Sequence, residues 1–95
     1  MSTFIKGLVI SKMKQLTPEE IHAYGKDYGF TVTNKEARDI WNYLQNNKID
    51  PFNKQDRNKM LKELARITNV ETAKKANKLF QEIVKYYGLE SLFEQ

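Results

Sequence analysis

Two Thr-x-x-Glu motifs, at residues 17–20 and 33–36, limit the folds open to this chain more than any other feature. In such a capping box the threonine hydroxyl accepts from a first-turn amide, and the glutamate accepts from the threonine amide. Pro18 adds to the first motif, because proline is favoured at the first helical position. Gly29 lies between the motifs and favours a helix end. The sequence therefore predicts that one helix starts after Thr17 and a second after Thr33.

The residues after these motifs fit two helices joined by an extended connector. Residues 30–32 are short and β-favouring, which is typical of an extended segment. The apolar residues that recur at helical spacing after the second motif are Ala37, Ile40, Trp41 and Leu44. Pro51 biases Asp50 away from helical backbone, so the second helix ends before it. We predict a helix–extension–helix unit over residues 16–48.

Further helices are predicted on both sides of this unit. Asn53 is placed to cap a fourth helix, and a third Thr-x-x-Glu motif at 68–71 predicts the start of a fifth, which ends at Gly88. The predicted apolar faces are Phe4, Ile5, Leu8, Val9, Met13 and Leu16 in the first helix, Met60, Leu61, Leu64, Ala65 and Ile67 in the fourth, and Ala73, Ala76, Phe80, Ile83, Val84 and Tyr87 in the fifth. The fold class is therefore all-α. We predict one small domain of four to five helices over residues 1–95, and two of these helices lie within residues 53–88.

An apolar tail follows over residues 89–95. Its apolar side chains are Leu89, Leu92 and Phe93. Two alternatives are open: the tail folds back and closes the core, or it stays exposed and joins another chain.

Composition excludes several classes of protein. The chain of 95 residues is 40% apolar, which suits one core. It has no cysteine, so disulfides, thiolate metal sites and a cysteine nucleophile are excluded. No apolar run approaches the roughly 18 residues of a membrane span, and the first residues lack the apolar stretch of a signal peptide. We expect a cytoplasmic protein with no membrane contact.

No catalytic or metal-binding pattern is recognisable. His22 is the sole histidine and has no evident orienting partner or nucleophile. The segment that begins at Asp50 loosely resembles a calcium loop, but Gln55 and Leu61 stand where an EF-hand needs glycine and glutamate. Phosphate-binding glycine motifs are absent from the sequence. We expect no enzyme, no cofactor and no metal.

The formal charge of +4 permits an anionic partner without requiring one. Two groups of basic residues each share a helix edge: Lys59, Lys62 and Arg66 on the fourth helix, and Lys74, Lys75 and Lys78 on the fifth. Such groups are ordinarily solvated faces, and the alternative is a contact surface for phosphates. Tyr43 lies beside its helix stripe, where an exposed aromatic residue favours an interface.

Residues 16–44 resemble the helix–extension–helix motif of SAP, LEM and Rho-N-terminal-like domains. The resemblance rests on an apolar start, an acidic cap, an apolar-aromatic face and a glycine near the first helix end. Several such domains bind DNA or RNA, which implies a similar role for Lys35 and Arg38. Where those domains have Gly-Lys, this chain has Asn34-Lys35.

A second resemblance covers nearly the whole chain. Runs at residues 16–21, 51–52, 61–68, 71–73 and 77–80 resemble a family of small uncharacterised proteins of spore-forming Firmicutes. The resemblance implies a cytoplasmic helical protein with no assigned activity.

The leading hypothesis is a non-enzymatic helical module for protein–protein interaction or self-association. The candidate interface residues are Tyr43, Leu89, Leu92 and Phe93. The alternative is binding of DNA or RNA through a basic surface made of Lys35, Arg38, Lys59, Lys62 and Arg66.

Overall fold

The structure, a computed structural model, describes the backbone of residues 2–93 and the side chains of residues 4–93. Within residues 2–93 it contains five α-helices, one 3-10 helix and no strand. The helices are α1 (Ser2–Gln15), α2 (Pro18–Asp27), α3 (Asn34–Asn46), α4 (Lys54–Ile67) and α5 (Val70–Tyr86), followed by the 3-10 helix Glu90–Leu92. The predicted all-α fold is confirmed.

Both capping boxes of the helix–extension–helix unit are formed. Thr17 Oγ1 accepts from the amide of Glu20 at 3.1 Å, and the Glu20 carboxylate accepts from the Thr17 amide at 3.0 Å. Thr33 and Glu36 repeat the arrangement at 3.0 and 2.8 Å. These reciprocal bonds satisfy amides that have no partner within their own helix. The predicted starts of α2 and α3 are confirmed.

Gly29 ends α2 in the manner that its sequence position predicts. Its φ of 83° lies in the left-handed region, where a side chain would be strained. The Gly29 amide donates to the Lys26 carbonyl, and the Phe30 amide donates to the Gly25 carbonyl. This pair of bonds is a Schellman motif. It turns the chain into the connector 30–33, which has no regular secondary structure.

The third capping box, predicted at residues 68–71, is wrong. Asn69 caps α5, and its side-chain oxygen accepts from the Thr72 amide at 2.8 Å. Thr68 instead ends α4, because its amide and its hydroxyl both donate to the Leu64 carbonyl. The threonine therefore satisfies the end of the earlier helix and leaves the start of the next to asparagine. The predicted break between α4 and α5 is confirmed.

The centre of the core lies outside the long helices. Phe52, in the link between α3 and α4, is completely buried and packs with Val84 and Leu92. The rings of Phe52, Phe80 and Phe93 meet pairwise with centroids 5.6–5.8 Å apart. The tail thus folds back and closes the core, the first of the two alternatives. Glu94 and Gln95 of the predicted tail lie outside the described residues.

Several residues predicted on buried faces are exposed. Phe4 on α1 is 71% exposed and Leu8 is 52% exposed, although Ile5 and Val9 on the same helix pack on the core. On α5 and at its C-terminal cap, the predicted face residues Ile83 and Tyr87 are also exposed. The reason is geometric: each of these helices meets its neighbours along a stripe narrower than its apolar face.

Side-chain bonds fix α1 across the ends of other elements. The Lys14 ammonium donates to the carbonyls of Leu44 and Asn47 at 2.6 Å each. Gln45 donates in return to the Lys14 carbonyl at 2.7 Å. The two bonds from Lys14 satisfy carbonyls at the end of α3, and the bond from Gln45 satisfies a carbonyl at the end of α1. They hold the second half of α1 against α3, beside the groove described next.

Candidate functional site

An apolar groove of about 280 Å³ opens between α1, α3, α4 and α5. We call it the apolar groove throughout. Its apolar lining consists of Val9, Met13, Ile40, Leu44, Pro51, Met60, Leu61, Leu64, Ile67, Ala76 and Phe80, and its polar lining consists of Tyr43, Arg57, Glu63 and Asn77. Apolar side chains therefore make up most of the lining of this hollow.

The apolar face of α4 is only partly covered by its neighbours. No residue of α4 is fully buried. Its apolar side chains Met60, Leu61 and Leu64 are all half-buried, so each keeps part of its surface facing the groove. Burial of apolar surface is worth about 25 cal/mol per Å². A ligand that covers these side chains would therefore gain free energy that folding alone leaves unused.

The rim of the groove is held in place by polar contacts. The Arg57 guanidinium donates to the Pro51 carbonyl at 3.1 Å and lies 4.8 Å from the centroid of the Phe93 ring. Glu63 is paired with Arg66 one turn later. The hydrogen bond from Arg66 lowers the pKa of the Glu63 carboxyl, so this carboxylate stays ionised at neutral pH.

Tyr43 forms part of the groove wall. Burial raises the pKa of its phenol, and the nearby carboxylates of Glu63 and Asp56 raise it further. The hydroxyl therefore stays protonated at neutral pH and can donate a hydrogen bond to a ligand. The sequence predicted Tyr43 as an exposed interface residue, and the structure places it half-buried at the groove instead.

The other predicted interface residues belong to the core of the chain itself. Leu92 is 5% exposed, and Leu89 and Phe93 pack against Phe52. Backbone bonds fix this segment, since Leu89 donates to the Val84 carbonyl at 2.8 Å. Leu92 is therefore buried in the interior, and Leu89 and Phe93 are half-buried against the core. A contact of these residues with a second chain stays a prediction.

The five residues predicted as a basic surface are mixed with acidic ones. Lys35 pairs with Asp39 at 3.0 Å, and Arg66 pairs with Glu63 while also attracted to Asp39. Both lysines of α4 in this set, like Arg38, are exposed. The two carboxylates reduce the positive potential that the sequence pattern alone suggests.

Helical periodicity predicts that the groove residues face inward and gives no sign of a gap. One signal does point to it. Two of the three methionines of the chain, Met13 and Met60, line the groove. Methionine is common at surfaces that adapt to different apolar partners, because its side chain is unbranched and polarizable.

Metal sites and membrane-spanning helices are both absent from the described residues. No group of three or more histidine, cysteine, aspartate or glutamate side chains in the described part of the chain is arranged to hold a metal ion. Across residues 2–93, every helix is too short or too polar to cross a membrane.

Comparison with known proteins places this chain among uncharacterised relatives. It is 31% identical over 75 residues to an uncharacterised protein, YqfT, of Bacillus subtilis strain 168, an alignment that covers 79% of this chain and 89% of YqfT. No solved structure matches it. The expectation of a small uncharacterised family is confirmed, because residues 1–84 match the family described as protein of unknown function DUF2624. The chain belongs to the DUF2624 family.

Proposed function

We propose that this protein is a non-enzymatic protein-interaction module that acts in the cytoplasm. Its apolar groove receives the apolar side chains of a partner helix. The observation that carries the proposal is the groove itself, an open hollow with eleven apolar side chains and a polar rim. Recognition of an amphipathic helix in such a groove is a recurring mode of protein binding.

The size of the groove favours side chains over a cofactor. At about 280 Å³ it falls just below the roughly 300–1,000 Å³ of small-molecule sites. Its walls are helices, so two or three apolar side chains at helical spacing fit along it. The protonated hydroxyl of Tyr43 supplies a donor at the rim, which suits a carbonyl or carboxylate of the partner.

The polar lining favours binding over catalysis. Of the four polar residues, Arg57 and Glu63 are already engaged by Pro51 and Arg66. Tyr43 and Asn77 remain, and they do not make a pair of nucleophile and base. Groups of this kind can orient a partner, whereas a reaction needs polar groups that converge on one reacting atom.

The alternative, nucleic acid on the surface made of Lys35, Arg38, Lys59, Lys62 and Arg66, has less support. Two of these five cations are paired with carboxylates. Phosphates would compete with Asp39 and Glu63 for them, which weakens any attraction at this surface.

A photoreactive benzoylphenylalanine in place of Tyr43 tests the proposal in native host cells. We expect one discrete covalent adduct with a second protein after irradiation. The companion variant Ala76→Phe fills the groove and should abolish that adduct, whereas Ala23→Phe, at an exposed position on α2, should leave it. Circular dichroism checks that both variants fold. No adduct at position 43, or an adduct that survives Ala76→Phe, would remove the proposal.

A further inference from the structure

A second hollow, of about 620 Å³, shares no lining residue with the apolar groove. Its first wall is the connector 29–31, just after α2, and its second wall is the N-terminal half of α5. Three lysines line the second wall: Lys74, Lys75 and Lys78. We call this hollow the lysine cleft. For these three lysines the sequence allowed two interpretations, a solvated face or a contact surface for phosphates.

The three lysines have different roles. The Lys75 ammonium donates to the Gly29 carbonyl and lies 5.1 Å from the centroid of the Phe30 ring. It therefore ties the two walls together and holds Phe30 at the cleft. Lys74 and Lys78 flank it, are both exposed, and have no ion-pair partner among residues 4–93. Glu71 is the one carboxylate of the lining, against three ammonium groups.

Aromatic rings continue the same surface. A smaller hollow of about 250 Å³ shares Phe30, Lys75 and Lys78 with the lysine cleft and adds Tyr28. The Tyr28 side chain is 58% exposed, so a planar group from solvent can reach its ring. Glu82 lines only this smaller hollow. Cations and aromatic rings thus alternate along one stretch of surface.

This combination has a specific chemical match. Ammonium groups attract phosphates, and exposed aromatic rings stack on bases that are not already paired. A duplex offers phosphates but keeps its bases stacked inside. The N-terminus of α5 adds partial positive charge at the same cleft. We propose that the lysine cleft binds single-stranded nucleic acid, with phosphates at Lys74 and Lys78 and a base on Tyr28.

Fluorescence anisotropy with labelled oligo-dT and oligo-U tests this proposal at low and rising salt. We expect binding whose logarithm falls linearly with the logarithm of salt concentration. Lys74→Gln with Lys78→Gln should reduce that slope by about 1.4, because each phosphate contact on a single strand contributes about 0.7. The matched control, Lys59→Gln with Lys62→Gln, removes the same charge from exposed positions of α4 and should change the slope by less than half as much.

Tyr28→Ala separates stacking from charge. It should weaken binding about fivefold or more while the salt slope stays the same, since stacking is uncharged and is worth about 1–3 kcal/mol per base. The proposal is overturned if neither oligonucleotide binds at low salt, or if both lysine pairs lower the slope equally. It is also overturned if Tyr28→Ala has no effect, or if a duplex or polyglutamate binds as tightly as the single strand.

Discussion

Burial is the main cause of a raised pKa at the Tyr43 phenol in the apolar groove. Burial, then Glu63 and Asp56, raise the pKa of the phenol above its ordinary value of 10.0. The folded protein therefore holds this proton more tightly than the unfolded chain does. The resulting stabilisation is fully present below pH 10 and is lost as pH rises through the raised pKa.

Tyr43→Phe removes the phenol proton, so it should remove the contribution of this group to the pH dependence of the free energy of unfolding. We expect the free energy of unfolding of the native protein, relative to that of the variant, to be constant from about pH 7 to 9 and to fall above about pH 10. Urea denaturation of both proteins across this range measures the difference. If the free energies of unfolding of the two proteins change with pH in the same way, the phenol has the same pKa in the folded and unfolded states. That result would contradict the prediction.

Single residues also explain where the sequence misleads. Thr17 and Thr33 act as caps, and the residue before each lies outside any helix. Thr68 has the same motif around it, but α4 extends to Ile67 and uses the threonine as its own end. A Thr-x-x-Glu motif indicates that the threonine can cap a helix if a helix starts there. It does not indicate how far the preceding helix runs.

At the scale of elements, two glycines end helices in the same way. Gly88 follows α5 with φ of 66°, and the Leu89 amide donates to the Val84 carbonyl just as Phe30 donates to Gly25 after α2. Each turn redirects the chain, so the segment after the helix packs against another part of the molecule. After α5 that segment is the one that closes the core.

Gly88→Ala and Gly7→Ala should have opposite effects on stability. A Cβ at Gly88 meets no atom within 4 Å, so its cost is the left-handed backbone alone, about 1–2 kcal/mol. Gly7 lies inside α1 with open space around it, so alanine should stabilise the fold by about 1 kcal/mol. Thermal denaturation of the two variants measures both shifts. A stabilising Gly88→Ala would contradict the role of the turn.

The starts of α2 and α3 were predictable, because each depends on three or four neighbouring residues. The cap of α5 was not, because it also depends on where α4 ends. The buried faces were predictable only in part, since they depend on contacts between residues far apart in sequence. Leu44 is buried, as its position on the predicted apolar face indicates. Phe4 belongs to a predicted apolar face as well, but it is exposed to solvent. The apolar groove was not predictable for the same reason: periodicity tells which side chains turn inward, and the gap depends on how several helices pack together.

At the scale of the whole molecule, the core is built from segments distant in sequence. Phe52 comes from a link, Val84 from α5 and Leu92 from the last described turn. A sequence reading assigns links to the surface, because most loops lie there. Ile49 and Phe52 are therefore missing from the predicted apolar faces, although both are buried.

Leu92→Ala tests the importance of the last turn. The side chain is 5% exposed, so its truncation should leave a cavity and lower the free energy of unfolding by about 2–5 kcal/mol. Tyr86→Ala is the matched control, because that ring is 83% exposed and its loss should change stability by at most about 0.5 kcal/mol. Urea denaturation of both variants gives the comparison. Equal losses would contradict the packing of the tail.

The placement of Leu92 also sets the order of events during synthesis. A ribosome makes α1 to α5 before it makes the residue that covers Phe52 and Val84. Until Leu92 leaves the exit tunnel, the apolar surface that it covers in the folded protein is exposed to solvent. Apolar surface that is exposed transiently in this way makes a nascent chain prone to association.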